Sequence, residues 1–240
     1  MKKFGFGTMR LPLIDSQDKS SIDMEELKKM VDEFMAAGFT YFDTAFTYHE
    51  QLSESVLKEA LVDRYDRDSY IFADKMPTVL VKSGDEYPMY FNKQLEKTGV
   101  GYFDYYLMHN MGRDRYFNTH KWGGFDFARR MKEEGKIKKF GFSFHDDAEM
   151  LDQILTEHPE VDFVQLQINY LDWDNKIIQS RACYETARKY NKPIVVMEPV
   201  KGGTLANLPK EADSMLYEYA PGVLPVSYAC LLYTSDAADD

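Results

Sequence analysis

The 240-residue chain carries a formal net charge of −11, which excludes a nucleic-acid surface or an anionic membrane as its default partner. Its 44% hydrophobic residues suffice for one sizeable core, and no apolar run approaches the roughly 18 residues of a membrane span. Cys183 and Cys230 give neither a disulfide framework nor metal-ligand spacing, and no secretory apolar segment follows Met1, so a cytoplasmic setting is expected.

In chain order, Phe4 to Thr8 predicts a short strand. Its Gly5 and Gly7 let backbone or ligand approach closely, or simply make a glycine-rich strand with no ligand. A helix follows, with Asp23 as N-cap, Glu26 three residues on and Gly38 as its stop. Phe39 to Asp43 reads as a buried strand, followed by a polar loop bearing Tyr48 and a helix over 53–62. The pattern then repeats. Strand 70–75 ends at Lys75 before helix 85–98, and strand 103–108 precedes His109, a loop and helix 124–134. Strand 138–142 leads to Ser143 and a helix capped by Asp146; strand 161–166 precedes helix 176–190. Strand 194–198 runs into Pro199-Val-Lys-Gly-Gly203, and a last helical stretch extends from Lys210 towards Ala229.

Apolar strands alternating with amphipathic helices at near-constant spacing predict a parallel sheet covered by helices. Seven strands are found where a closed barrel needs eight. The expected fold is α/β, an incomplete (β/α)₈ TIM-type barrel of about seven βα units over residues 1–229. An open doubly wound sheet is the alternative, but no G-x-G-x-x-G opens a helix after a strand.

In a barrel, the loops after the strands form one face, where active sites sit. Asp43, Tyr48, Lys75 and His109 map to that face. Singly, Asp43 could tie down a loop, Tyr48 pack a rim and His109 sit satisfied in the core. Together they suit proton donation to a carbonyl oxygen. A neighbouring Lys⁺ is expected to lower the phenol pKa from about 10, with Asp43 holding Lys75 and His109 orienting a substrate oxygen. No side chain supplies hydride, so a reduction would borrow it from a cofactor. Two other classes fit less of the pattern. One is a nucleotide-binding sensor or interaction barrel with little turnover. The other is a hydrolase with paired carboxylates including Glu198. The remaining histidines show no metal-ligand spacing: His49 reads as a pocket-rim residue, and His120, His145 and His158 as loop residues. Tyr116, Trp122 and Trp173 fall in loops, where packing and pocket lining are both open.

Gly5-Phe-Gly-Thr-Met-Arg-Leu-Pro12, Phe42-Asp-Thr-Ala-Phe-Thr-Tyr48, Lys75, Leu107-Met-His-Asn110, Glu134 to Ser143, and Val161 to Gln167 together resemble the aldo-keto reductase family. The resemblance implies a (β/α)₈ barrel that binds NADPH, less often NADH, and reduces aldehydes and ketones by hydride transfer. Tyr48 would be the general acid, Lys75 and Asp43 its tuning pair, and His109 the orienting residue. Gly7, Thr8 and Asp43 would lie by the nicotinamide ribose and ring. Ser143 and Gln165 would hold the carboxamide, although Phe144 replaces the usual Asn after that serine. Met197 stands where an aromatic often stacks on the nicotinamide, and Pro199, Val200, Lys201, Gly202 and Gly203 resemble the pyrophosphate loop. The partner is then a small carbonyl compound.

The wording further resembles a prokaryotic branch that often carries a C-terminal iron–sulfur extension. Residues 230–240 read as a non-native tail resembling a translated sequencing adaptor. The chain is accordingly expected to be truncated near Ala229, with the native protein continuing with strand eight, its helix and, where cysteines follow, a 4Fe-4S segment.

Overall fold

The alternation of aromatic, β-branched runs with amphipathic helices is realised as seven parallel strands. A computed structural model describes residues 3–233; the part of the predicted tail from 234 to 240 lies outside them. The strands are β1 (Gly5–Gly7), β2 (Tyr41–Asp43), β3 (Ile71–Met76), β4 (Phe103–Met111), β5 (Ile137–Phe144), β6 (Phe163–Gln167) and β7 (Ile194–Met197). They pair in sequence order, each parallel to the next. This is an incomplete (β/α)₈ barrel: among the described residues, β1 and β7 each pair with a single strand.

Helix α1 (Met24–Ala36) begins where Asp23 Oδ1 accepts the Glu26 amide at 3.0 Å, and it ends at Gly38, whose φ is +79°. Helix α2 (Ser53–Leu57) runs on through a π-helical turn to Val62. The other helices are α3 (Glu86–Thr98), α4 (Arg113–Lys121), α5 (Gly124–Glu133), α6 (Ala148–Glu157), α7 (Ser180–Lys189), α8 (Lys210–Tyr219) and α9 (Pro225–Leu231).

Period-two alternation sorts the side chains. Phe42, Phe72, Tyr106, Met108 and Phe142 pack outward beneath the helices. Tyr41, Ala73, Tyr105, Leu107, Phe163 and Val195 fill the inside. Within that filling, the Tyr105 ring meets Tyr41 at 5.3 Å and Phe163 at 4.9 Å, both edge-on. Two glycines make room for this layer. A Cβ on Gly5 would stand 2.8 Å from the Tyr41 ring, and one on Gly141 would stand 2.5 Å from the Phe163 carbonyl oxygen.

Four local expectations are corrected. Helix α4 replaces the predicted loop after β4; it buries only Tyr116 and Thr119, so its sequence carries little apolar periodicity. The N-cap of α6 is Asp147, whose Oδ1 accepts the Met150 amide at 2.8 Å, while Asp146 accepts the Arg113 amide at 2.7 Å and ties down the preceding loop. Helix α7 starts at Ser180 rather than near 176, just after Gln179 takes a positive φ of 54°. The single stretch expected over 210–229 divides into α8 and α9, because Pro221-Gly222 interrupts it and Gly222 adopts φ +80°.

Gly141→Ala should destabilise the chain by about 1–3 kcal/mol, the usual range for overpacking a filled interior. The urea midpoint measures this; an unchanged midpoint would mean that Phe163 and its strand yield freely.

Candidate active site

At the C-terminal ends of β2 and β3, Lys75 is 1% exposed. Its Nζ donates to Asp43 Oδ1 and to the Thr44 carbonyl, the latter at 2.8 Å. Asp43 Oδ2 accepts Gln165 Nε2 from across the barrel at 3.0 Å. The Asp43 carbonyl accepts both the Thr8 amide (2.9 Å) and the Thr8 hydroxyl (3.1 Å), and Ser53 Oγ donates to Thr8 Oγ1 at 2.7 Å. Thr8 is thus fully buried as a prop beneath Asp43.

Tyr48 reaches over this pair. Lys75 Nζ stands 5.0 Å from its ring centroid, and the His109 ring meets it edge-on at 5.6 Å. Behind Tyr48 the backbone winds through three consecutive non-glycine residues with positive φ: His49 (46°), Glu50 (54°) and Gln51 (71°). Such conformations cost energy and persist only where surroundings fix them. Here His49 does so: its Nε2 accepts the Leu11 amide at 3.1 Å, and its Nδ1 bonds the Lys19 carbonyl at 2.9 Å. His49 is therefore a buried brace rather than a rim residue.

A bulge between Met108 and Met111 re-aims the end of β4, which carries His109 and Asn110. Thr78 Oγ1 donates to the His109 carbonyl at 2.5 Å, and the Asn110 amide donates to Ser143 Oγ at 2.8 Å. Ser143 and Gln165 are register partners on β5 and β6.

Electrostatics assign protonation states. Burial opposes the Lys75 charge, but Asp43 and Tyr48 outweigh it, so its pKa lies above the usual lysine value. Burial, with Asp43 adding to it, raises the Tyr48 pKa; Lys75 opposes without winning. The expected lowering of the phenol pKa is thus corrected. Burial, then Lys75, His145 and Arg115, pull His109 down to about 3, so its imidazole is neutral at physiological pH.

A cavity of about 1100 Å³ runs from these groups through the barrel interior to Lys3, Asp162 and Pro193 at the other end of the strands. Asp43, Tyr48, His109, Ser143, Gln165 and Met197 line it, and Gly7 and Pro199 also border it. A Cβ on Gly7 would meet nothing within 4 Å, so that strand end is open to the cavity. Val200, Lys201, Gly202 and Gly203 lie in a turn beyond the lining residues, with φ of +65° and +98° at the two glycines. Lys201 Nζ donates to both Asp172 oxygens, at 2.5 and 2.6 Å. Glu198 lines the cavity but its carboxylate pairs with Arg10 at 2.9 Å, bridging the loops after β7 and β1.

Sequence reasoning missed Arg10, Asn110 and His145, all of which line the cavity. The signal for the last two was their place one or two residues past strand-end His109 and Ser143. Tyr116 is instead buried in α4 against Glu157, Trp122 packs against the core, and Trp173 packs on Tyr184 at 5.6 Å.

Asp74 faces outward from Lys75 into a fully buried polar cluster. Its Oδ1 accepts the Lys75 amide at 2.7 Å, while its buried Oδ2 has no hydrogen-bond partner. Burial, then the neighbouring Glu54 carboxylate, push its pKa well above the usual range, which favours a protonated Asp74. Glu54 in turn accepts from Gln94 Nε2 at 2.9 Å and pairs with Lys97.

Residues 3–220 match the model of the aldo/keto reductase family. The chain belongs to that family. It is accordingly an NAD(P)H-dependent oxidoreductase. Among solved structures it is similar to an aldo-keto reductase from Bacillus halodurans in its holo form, at 20% identity and TM-score 0.68, covering 96% of this chain and 77% of that one. It is similar also to one from Klebsiella pneumoniae in complex with NADPH, at 16% identity and TM-score 0.70, covering 97% and 81%. A third, from Brucella melitensis, aligns at 18% identity and TM-score 0.65, covering 90% and 74%. At these identities the structures attest the shared fold. No curated protein sequence matched.

An aldo/keto reductase with a protonated Asp74 has a checkable stability profile. The folded state keeps a proton that the unfolded chain loses above about pH 4, so stability is greatest below that pH and falls as pH rises towards the raised folded value. Asp74→Asn preserves the hydrogen-bonding shape without that penalty. It should raise Tm at pH 8, where 1 kcal/mol is worth about 2–4 °C, and flatten the pH dependence. A lower Tm in Asp74→Asn would mean that the ionised carboxylate is what the site requires.

Proposed function

We propose that this aldo/keto reductase reduces an aldehyde or ketone to the alcohol with NADPH, Tyr48 acting as the general acid. The observation that carries the reading is the convergence of Tyr48, neutral His109 and the Lys75–Asp43 pair on one cavity. A bound reduced nicotinamide supplies the hydride. Asp43, Ser143, Gln165 and Met197 line the wall that would hold it, with Ser143 and Gln165 offering polar atoms for its carboxamide and Met197 a thioether face for its ring. The NADPH complex of the Klebsiella relative supports the same cofactor here.

As hydride adds to the carbonyl carbon, negative charge develops on the oxygen. Tyr48 donates its phenolic proton there, the C=O π bond becomes an O–H bond, and the alcohol forms. The raised pKa of Tyr48 keeps it protonated, which is the state the reduction needs. Lys75 stabilises the phenolate left behind. Neutral His109 can hydrogen-bond the carbonyl oxygen without competing as an acid, because it protonates only near pH 3.

Two outcomes follow for carbonyl-dependent NADPH oxidation. Tyr48→Phe should lower kcat by about 10²–10⁴ while nucleotide binding persists; reduction at the parent rate would refute the assignment. The pH profile of kcat/KM should show no inflection near 6.5, since His109 is already neutral there. An inflection near 6.5 that His109→Gln removes would place its pKa at the ordinary value.

A further inference from the structure

The helical layer brings together three side chains that the reduction does not use. His120 lies in the last turn of α4, Glu157 ends α6, and His158 is the C-cap of α6. His120 Nδ1 and His158 Nε2 are 3.2 Å apart although 38 residues separate them in sequence. Glu157 Oε2 lies 4.0 Å from His120 Nδ1, and one ligand atom from each of the three falls within 4.8 Å of the others. Two nitrogens bound at about 2.0–2.1 Å to a tetrahedral ion stand about 3.3–3.4 Å apart. The imidazole pair, at 3.2 Å, is close to that separation, and the carboxylate oxygen, 4.0 Å from His120 Nδ1, would draw in on binding.

A second observation concerns how the buried histidine is held. His158 Nδ1 is 3.1 Å from Glu160 Oε1, which fixes a proton on Nδ1 and turns the Nε2 lone pair towards His120. A carboxylate behind the imidazole is the support that metal-binding histidines usually have. The ring also lies flat on Phe125, with centroids 3.7 Å apart and an 11° interplanar angle, so its direction is set before any ligand arrives. Tyr116 donates to Glu157 Oε2 at 2.5 Å and holds that oxygen at the cluster. His120 is 55% exposed, which leaves an entry path from solvent.

We propose that His120, Glu157 and His158 form a site for a divalent late first-row transition ion, Zn²⁺ foremost, with water as the fourth ligand and α4 clamped to α6. Two imidazole donors favour such an ion over Mg²⁺ or Ca²⁺, which take oxygen ligands. Without the ion, the same nitrogens share one proton in a simple hydrogen bond, and the two states are separable by experiment.

The test is calorimetric titration of chelator-stripped full-length protein with ZnCl₂, in the presence of excess Ca²⁺ and Mg²⁺. One saturable Zn²⁺ site per chain is expected. His120→Ala, a substitution at an exposed position, should abolish it while NADPH binding is unchanged. Glu160→Gln should weaken it about 10–100-fold. Absence of saturable Zn²⁺ binding, loss of binding to excess Ca²⁺, or unchanged binding in His120→Ala would each overturn the proposal.

Discussion

The mouth of the barrel depends on one ammonium placed where water cannot reach it. An unpaired charge at the position of Lys75 would give up its proton. Asp43, one strand away in the register, and the Thr44 carbonyl keep it charged. Removing one partner of a buried pair typically costs about 3–5 kcal/mol, so Asp43 cannot be free for other tasks. Its remaining carboxylate oxygen takes Gln165 from β6, and its carbonyl takes Thr8 after β1. Four strands thereby share one polar knot. The mouth near β7 is tied by the Arg10–Glu198 pair, worth about 0–1 kcal/mol, and by Asn169 Nδ2, which donates to the Glu198 carbonyl at 3.3 Å.

The same strand alternation that builds the knot builds its floor. Tyr41, Tyr105 and Phe163 lie on the inner face with Lys75 and Asp43, and their rings pack edge-on beneath that pair. Burial then sets the protonation pattern above them. A phenol stays protonated, an imidazole stays neutral, and the lysine, whose counter-ion is within hydrogen-bonding reach, stays charged. Asp74 shows the other outcome on the outward face: with Glu54 beside it, it neutralises itself with a proton.

How much of this was legible in the sequence depends on the range of the interaction. The strand order and the four residues Asp43, Tyr48, Lys75 and His109 could be read, because apolar runs and strand ends are local features. The polar helix α4 could not, because it buries too few residues to leave a periodicity. The Pro221-Gly222 break was visible in the residues and was overlooked. The sign of the Tyr48 shift was illegible: the Lys75 neighbour could be guessed from spacing, but the desolvation that outweighs it exists only once the floor is packed. The role of His49, the bulge at His109 and the meeting of His120 with His158 all depend on backbone geometry or on contacts across distant segments.

The most direct test is ¹³C NMR of protein labelled at tyrosine Cζ, with Tyr48→Phe identifying the resonance. The Tyr48 signal should hold its phenol position up to at least about pH 10, because burial outweighs Lys75. A phenolate shift between about pH 7 and 9 would mean that Lys75 outweighs burial, and that Tyr48 rests as a base rather than as the acid a reduction needs.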